Sequence, residues 1–401
     1  MKNTILVTSL TITLAMGLVH TPSTRADESD YSKEAYDADE AKEQRSIMRT
    51  YLEPAHIPSP EFLASCVGEN RRYTGKETPE QLKAMSANYQ AIYDKIVAAL
   101  PEKLSVPVAQ KRKILVLTYR TGLDYHAPGA GGYLILLREA AKKYGAVELT
   151  ERYKPDGIDA KMLAGFDVVV VNCQQGFGRY GKYGVRWAGA KENPEIMKKM
   201  MKQADAERAV FVPLYDELLP AFVKNGGGLV GIHGAALLEM GQADKVTEFG
   251  SMLGGVVDDF CHPHTKSGGW ANYNPFYVKL LEPDNPVVAA YRDVPAEGLS
   301  TELYSFFLPK SSMNDTRVLA VKKEDEKDVV YFPKSVERCK EMASALVWIK
   351  SYGKGRVYYS VLGHHEEIFT VPCVVRADLD GLLYATGDLK VPDAPATAAG
   401  K

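Results

Sequence analysis

Apolar positions along this chain change their spacing three times, and each change marks a different kind of element. Behind Lys2, an apolar run with no charged residue extends from Ile5 to Val19 and gives way to Thr24-Arg25-Ala26 and then an acidic polar stretch. Residues 27–110 are charged, and Leu82, Met85, Tyr89, Ile92, Tyr93 and Ile96 recur at helical spacing until Leu100-Pro101 ends the pattern. From Lys113 the period changes. Ile114-Leu115-Val116-Leu117 is a continuous apolar run and Phe166 to Val171 is apolar apart from Asp167, both rich in β-branched residues, the pattern of strands buried on both faces. Between and after them, Pro128 to Tyr144, Pro194 to Ala206 and Pro213 to Lys224 read as helices. Consecutive strand-helix-strand units predict an α/β domain, a doubly wound, mainly parallel sheet with helices on both faces.

Farther along, Val246 to Leu253 reads as a short helix stopped by Gly254-Gly255, and strands follow at Phe276 to Leu281, Arg317 to Val321, Ala345 to Ile349 and Arg356 to Leu362. Ser351 to Gly355 is the hairpin turn between the last two. The expected organisation is a leader over residues 1–26, a helical extension over 27–110 packed on the main domain over 111–385, and a Pro/Ala-rich flexible tail over 386–401. There is no internal repeat.

The leader has the layout of a secretory signal peptide cleaved near Ala26, since its apolar run is shorter than the ~20 residues of a membrane span. The expected location is therefore periplasmic or secreted, with no membrane span after cleavage. Of 401 residues, removing 26 leaves 375; Lys2 and Arg25 go and no acid goes, so the net charge moves from -2 to -4. That mild acidity argues against nucleic acid as a partner. Cys66, Cys173, Cys261, Cys339 and Cys373 form no CxxC pair, which excludes a zinc ribbon and a dense disulfide scaffold and leaves their pairing open.

Chemistry concentrates where strands end. Gly226 to Ala236 is an apolar strand running into a glycine-flanked elbow and then a helix, with His233 at the apex. Such elbows usually present a nucleophilic Ser or Cys on strained backbone. Here the tip is an imidazole. In a doubly wound sheet the loops after the strands converge at one edge, which places His126, His233 and His364 there, with His262 and His264 after Gly254-Gly255 and His365 beside His364. A histidine cluster means either a metal or proton transfer, and without an HExxH-type motif the spacing does not decide between them. His126, His233, His262 and His364 are the candidate ligands of a divalent ion, zinc first among them; His233, Glu302 and His126 are the candidate acid-base groups. Asp124 is a candidate orienting group, while Asp258, Asp259 and Glu367 read as solvated carboxylates. Trp187, Trp270, Tyr180 and Tyr183 lie in loops where aromatic faces stack on sugars or simply pack. The glycines of Pro128 to Gly132 open a helix after a strand but match neither a P-loop nor GxGxxG.

Taken together, Ile114 to Thr118 with His126, the elbow Gly228 to Ala235, Gly254-Gly255 with His262-Pro263, Glu302-Leu303-Tyr304, and Tyr352 to Tyr359 leading to Leu362-Gly363-His364 resemble the ThuA-like, or trehalose-utilisation, family. The resemblance spans Lys113 to Phe369 and implies a flavodoxin-like fold of the class I glutamine amidotransferase type. It aligns His233 with the cysteine of that fold's Gly-Ile-Cys-x-Gly elbow, so amidotransferase activity is not expected. It further implies carbohydrate catabolism, with a sugar or keto-glycoside as the small-molecule partner. Isomerisation, β-elimination and hydrolysis all fit these residues, as does the alternative of a non-catalytic carbohydrate-binding or protein-interaction module. Self-association as a homo-oligomer is left open.

Overall fold

The computed structural model describes residues 90–118, 126–152, 157–172, 209, 211–239, 246–259, 275–307, 316–323 and 344–391. The expected leader, most of the helical extension, the helix over 194–206, the Gly176 to Lys191 loop and the tail beyond Val391 lie outside them, with Cys66, Cys173, Cys261 and Cys339.

Eight strands form one sheet in the order β2-β1-β3-β4-β10-β9-β8-β6. The apolar runs build its centre: β1 (Arg112–Leu117), β3 (Val168–Asn172) and β4 (Gly228–Ile232), the last two buried throughout. These three, with β2 (Val147–Arg152) outside β1 and β10 (Gly355–Ser360) beside β4, pair in parallel. From β10 outward the sheet turns antiparallel through β9 (Ala345–Tyr352), β8 (Thr316–Lys322) and β6 (Val278–Leu280). Because the chain leaves β1 for β2 on one side and returns to β3 on the other, a crevice opens at the carboxyl ends of β1 and β3. A separate antiparallel ribbon, β5 (Val256–Asp259) with β7 (Ser305–Phe307), lies off the sheet.

Helices cover both faces. A Cβ on Gly228 would strike the Ala385 carbonyl of α5 (Pro372–Thr386), whereas one on Gly231 would meet Leu253 at the end of α4 (Glu248–Leu253). An odd separation in a strand points to opposite faces, so α5 and α4 sandwich β4. Helix α1 (Ala127–Tyr144) starts with proline in its first turn and stops at left-handed Gly145, and Arg138 clamps it to β2 with two 2.6 Å bonds to Glu151. Short α2 (Ala160–Leu163) is capped by Asp159, and α3 (Leu219–Lys224) continues a π-helical turn at Pro213–Leu218, where sequence spacing reads one regular helix. Residues 90–99 are helical and bury Ile96 and Ala99 in the common core.

Among the elements that go unannounced in the hydrophobic pattern, two do so for opposite reasons. Strand β2 is half-exposed at the sheet edge, so its Val-Glu-Leu-Thr-Glu-Arg lacks a buried run. Helix α5 is buried from Cys373 to Ala385 except at Arg376, so it shows no polar stripe to set a helical period. Its closeness to β10 depends on Gly381, where a Cβ would stand 2.5 Å from the Tyr358 ring.

Candidate functional site

Strand ends deliver three imidazoles to one point. His126 is the residue before α1, on the chain leaving β1. His233 ends β4 on strained backbone: its φ of 43° makes it the non-glycine residue with positive φ among those described. The chain does not enter an α-helix there, as the sequence suggests, but a 3-10 turn over His233–Glu239. Tyr359 on β10 donates to the His233 carbonyl at 2.7 Å and helps hold the bend. His364 follows β10 after Gly363, whose φ of 146° only glycine adopts readily.

The same loop explains the glycines at the start of α1. A Cβ on Gly129 would lie 1.6 Å from the Gly363 carbonyl oxygen, and one on Gly132 would lie 2.9 Å from Glu366. Their absence of side chain lets α1 press against 363–366 and brings His126 to His364, with ring centroids 4.9 Å apart. These glycines serve packing rather than an anion.

Glu302 enters from the segment leading to β7. Its Oε2 lies 3.1 Å from His364 Nδ1, 3.3 Å from His233 Nε2 and 3.5 Å from His126 Nε2. The four donor atoms all lie within 4.8 Å of one another. Every one of these side chains is buried, at 3% exposure for His126 and Glu302, 2% for His364 and none for His233. Sequence position alone suggests exposed histidines; the packing of α1 and the β7 segment over the strand ends buries them instead.

Tautomers follow from the partners. His233 Nδ1 is 2.6 Å from the Val361 carbonyl, which only accepts, so Nδ1 carries the proton and Nε2 turns a lone pair toward the cluster. A backbone carbonyl holding the far nitrogen is the arrangement that orients imidazoles around metals. Burial pushes His126 down to about 3 and lowers His233 as well, against the opposing pull of Glu302. Burial would raise the Glu302 carboxyl, but the surrounding imidazoles, the charge attraction of His364 first among them, prevail and hold it well below the usual range. Neutral imidazoles at His126 and His233 beside an ionised carboxylate are the protonation state a cation requires of those groups.

Tyr304, two residues past Glu302, is the group that reading the sequence passes over as chemistry. Its hydroxyl lies 2.6 Å from His233 Nε2 and 3.0 Å from His126 Nε2, and its ring stacks on His233 at 4.5 Å. Only its place beside Glu302 in the Glu302-Leu303-Tyr304 motif could have flagged it.

The remaining candidates separate. His365 packs against His364 at 4.3 Å with its own pKa pushed down to about 3 by burial. Glu366 is buried away from the four-residue cluster, its carboxyl raised well above normal by burial, and Glu367 is exposed. His262, proposed as a fourth imidazole, lies outside the described residues, as do His264, Asp124, Tyr180, Tyr183, Trp187 and Trp270. The side chains of Asp258 and Asp259 are likewise not described. No helix among the described residues is long and apolar enough to cross a membrane.

Similar solved structures include a ThuA-like protein from Bacteroides uniformis, 18% identical over 70% of this chain and 93% of that one, with a TM-score of 0.42. One from Parabacteroides merdae is 17% identical over 71% and 94%, at 0.38. A cytoplasmic protein of Salmonella typhimurium is 13% identical over 68% and 98%, at 0.34. No curated protein matches the chain. Residues 197–385, which carry His233, Glu302, Tyr304 and His364, match the family model described as ThuA, trehalose utilisation.

Proposed function

We propose that this chain is an exported enzyme of carbohydrate breakdown that holds a divalent cation on His126, His233, His364 and Glu302 and acts on a sugar or keto-glycoside. The observation that carries the reading is the spacing around Glu302 Oε2, with three imidazole nitrogens 3.1 to 3.5 Å away. Ligand atoms sharing one ion with metal bonds of about 2.0–2.1 Å stand about 3.0 Å apart in an octahedral shell and about 3.3 Å apart in a tetrahedral one. Donor identity agrees as well, since three neutral nitrogens and a carboxylate suit zinc and its first-row neighbours better than calcium or magnesium.

When bound, the ion would supply Lewis-acid polarisation of a carbonyl or hydroxyl oxygen. The side chains do the rest. Glu302 keeps a negative charge at a buried point and can accept a proton from an acidic C–H beside a keto group or from a hydroxyl. The Tyr304 hydroxyl stands beside it, within hydrogen-bond distance of the Nε2 atoms of His126 and His233. Val361 keeps His233 in the tautomer that leaves Nε2 open. With His233 at the elbow, the position where an amidotransferase needs a thiol carries none.

Near-complete burial of the four donors favours a second reading, a closed structural ion in a non-catalytic sugar-binding module. Metal analysis of protein purified without a histidine tag tests the first requirement of both: one equivalent of a divalent ion is expected, falling to a small fraction in E302Q. A protein with no bound ion, and none acquired on titration, overturns the cation. Turnover of keto-glycosides that chelation stops and the ion restores favours the enzyme; sugar affinity without turnover favours the module. Export is checked by the mature amino terminus, expected just after Ala26 in the periplasmic or secreted fraction.

A further inference from the structure

The Tyr304 hydroxyl lies closer to two of the three imidazoles than the carboxylate does. It lies 2.6 and 3.0 Å from His233 Nε2 and His126 Nε2, against 3.3 and 3.5 Å for Glu302 Oε2 to those same two atoms. Neighbouring donors in an octahedral shell with bonds of about 2.1 Å are about 3 Å apart, so the phenol oxygen is at the spacing of a ligand sharing the ion. Nor is its position accidental. The ring is buried, stacked on His233 at 4.5 Å and 29°, and set edge-on to Phe306 at 6.1 Å, which fixes where the oxygen sits.

We infer that Tyr304 is a fifth protein donor to the cation held by His126, His233, His364 and Glu302, an inference that rests on the functional reading above. On binding, the phenol O–H bond breaks, its proton leaves to solvent, and the oxygen lone pair forms the bond to the ion; no electron is transferred. Five protein donors exceed the four of a closed zinc site. The centre therefore takes an ion that accepts five or six ligands, and in an octahedral shell one position stays open for a substrate oxygen.

Copper(II) is the probe. Chelator-treated full-length protein loaded with one equivalent is expected to show a visible phenolate-to-copper charge-transfer band with phenolate ring modes in resonance Raman. Y304F is expected to bind one equivalent still, without the band and with affinity lowered about tenfold or more. Wild-type protein that binds copper one to one with no phenolate modes, or a Y304F protein that keeps them, overturns the role of Tyr304 and leaves the cation standing. Wild-type protein that binds no copper overturns both. The wild-type spectrum decides the matter even if Y304F fails to fold.

Discussion

At the scale of single residues, His233 joins two demands that conflict. Its φ of 43° puts an L-residue in left-handed backbone, which costs roughly 1–2 kcal/mol, while its imidazole must reach Glu302 and bond Val361. Replacing it by alanine keeps the backbone cost and discards the side chain; replacing it by glycine discards both. H233G should therefore be more stable than H233A by about 1 kcal/mol in urea unfolding, with metal binding lost in both, and equal stabilities would mean that the elbow relaxes without strain. Glu302 carries the opposite lesson. E302Q keeps shape and removes the charge, so it should weaken metal binding by about 10- to 100-fold while the protein remains folded; unchanged affinity in a calorimetric titration would place the ion elsewhere. Legibility at this scale depends on residue type. Histidines at strand ends are rare enough to be read from position, whereas one tyrosine among 23 is not, although Tyr304 touches two of those histidines.

Elements were legible where burial is two-sided and uninterrupted, as in β1, β3 and β4, and lost where it is partial or total. Strand β2 shows water on one flank and α5 shows none, so neither has the contrast that a period requires. The glycines of α1 were seen, but their reason lies in a loop more than 200 residues away. Gly129 makes the point testable. In an exposed helix interior, Gly→Ala gains up to about 1 kcal/mol from propensity. Here the added methyl would meet the Gly363 carbonyl at 1.6 Å, so helix and loop must part. G129A should destabilise by roughly 1–3 kcal/mol, the range for overpacking, and should weaken metal binding because His126 and His364 separate. A stabilised G129A that binds metal normally would show that the contact of α1 with the loop is not what assembles the cluster.

On the scale of the whole molecule, the site draws on chain positions from 126 to 364, so its protonation and the proposed ion are linked to global stability. The strand-end logic locates this crevice from the sequence; how tightly α1 and the β7 segment close it follows from packing that no local pattern records. His126, near 6.5 unfolded and about 3 folded, is neutral in the fold, and its contribution is complete above pH 6.5 and lost as the pH falls from 6.5 toward 3. Glu302, depressed in the fold, adds stability above about pH 4.5 that is lost below it. Asp378 and Asp380, raised by burial to about 7 and about 6, act in the other direction, losing stability as the pH rises from 3.8. The comparison of wild type with H126Q, both stripped of metal, cancels these aspartates. The penalty of H126Q should shrink as the pH drops below 6.5, by at most about 1.4 kcal/mol per pH unit, the slope of one proton. A penalty constant from pH 7 to pH 4 would mean that His126 takes up its proton in the folded protein as readily as in the unfolded chain. The ion should enter the same balance. An ionised carboxylate buried beside the neutral imidazoles of His126 and His233 is a place for a divalent ion, which binds only the folded chain. At a free concentration 100 times its dissociation constant it should raise unfolding stability by about 2.7 kcal/mol, and chelation should remove that gain. If thermal unfolding is the same with excess metal and with chelator, the four donors hold no ion, and the carboxylate is instead matched by a proton shared among the imidazoles.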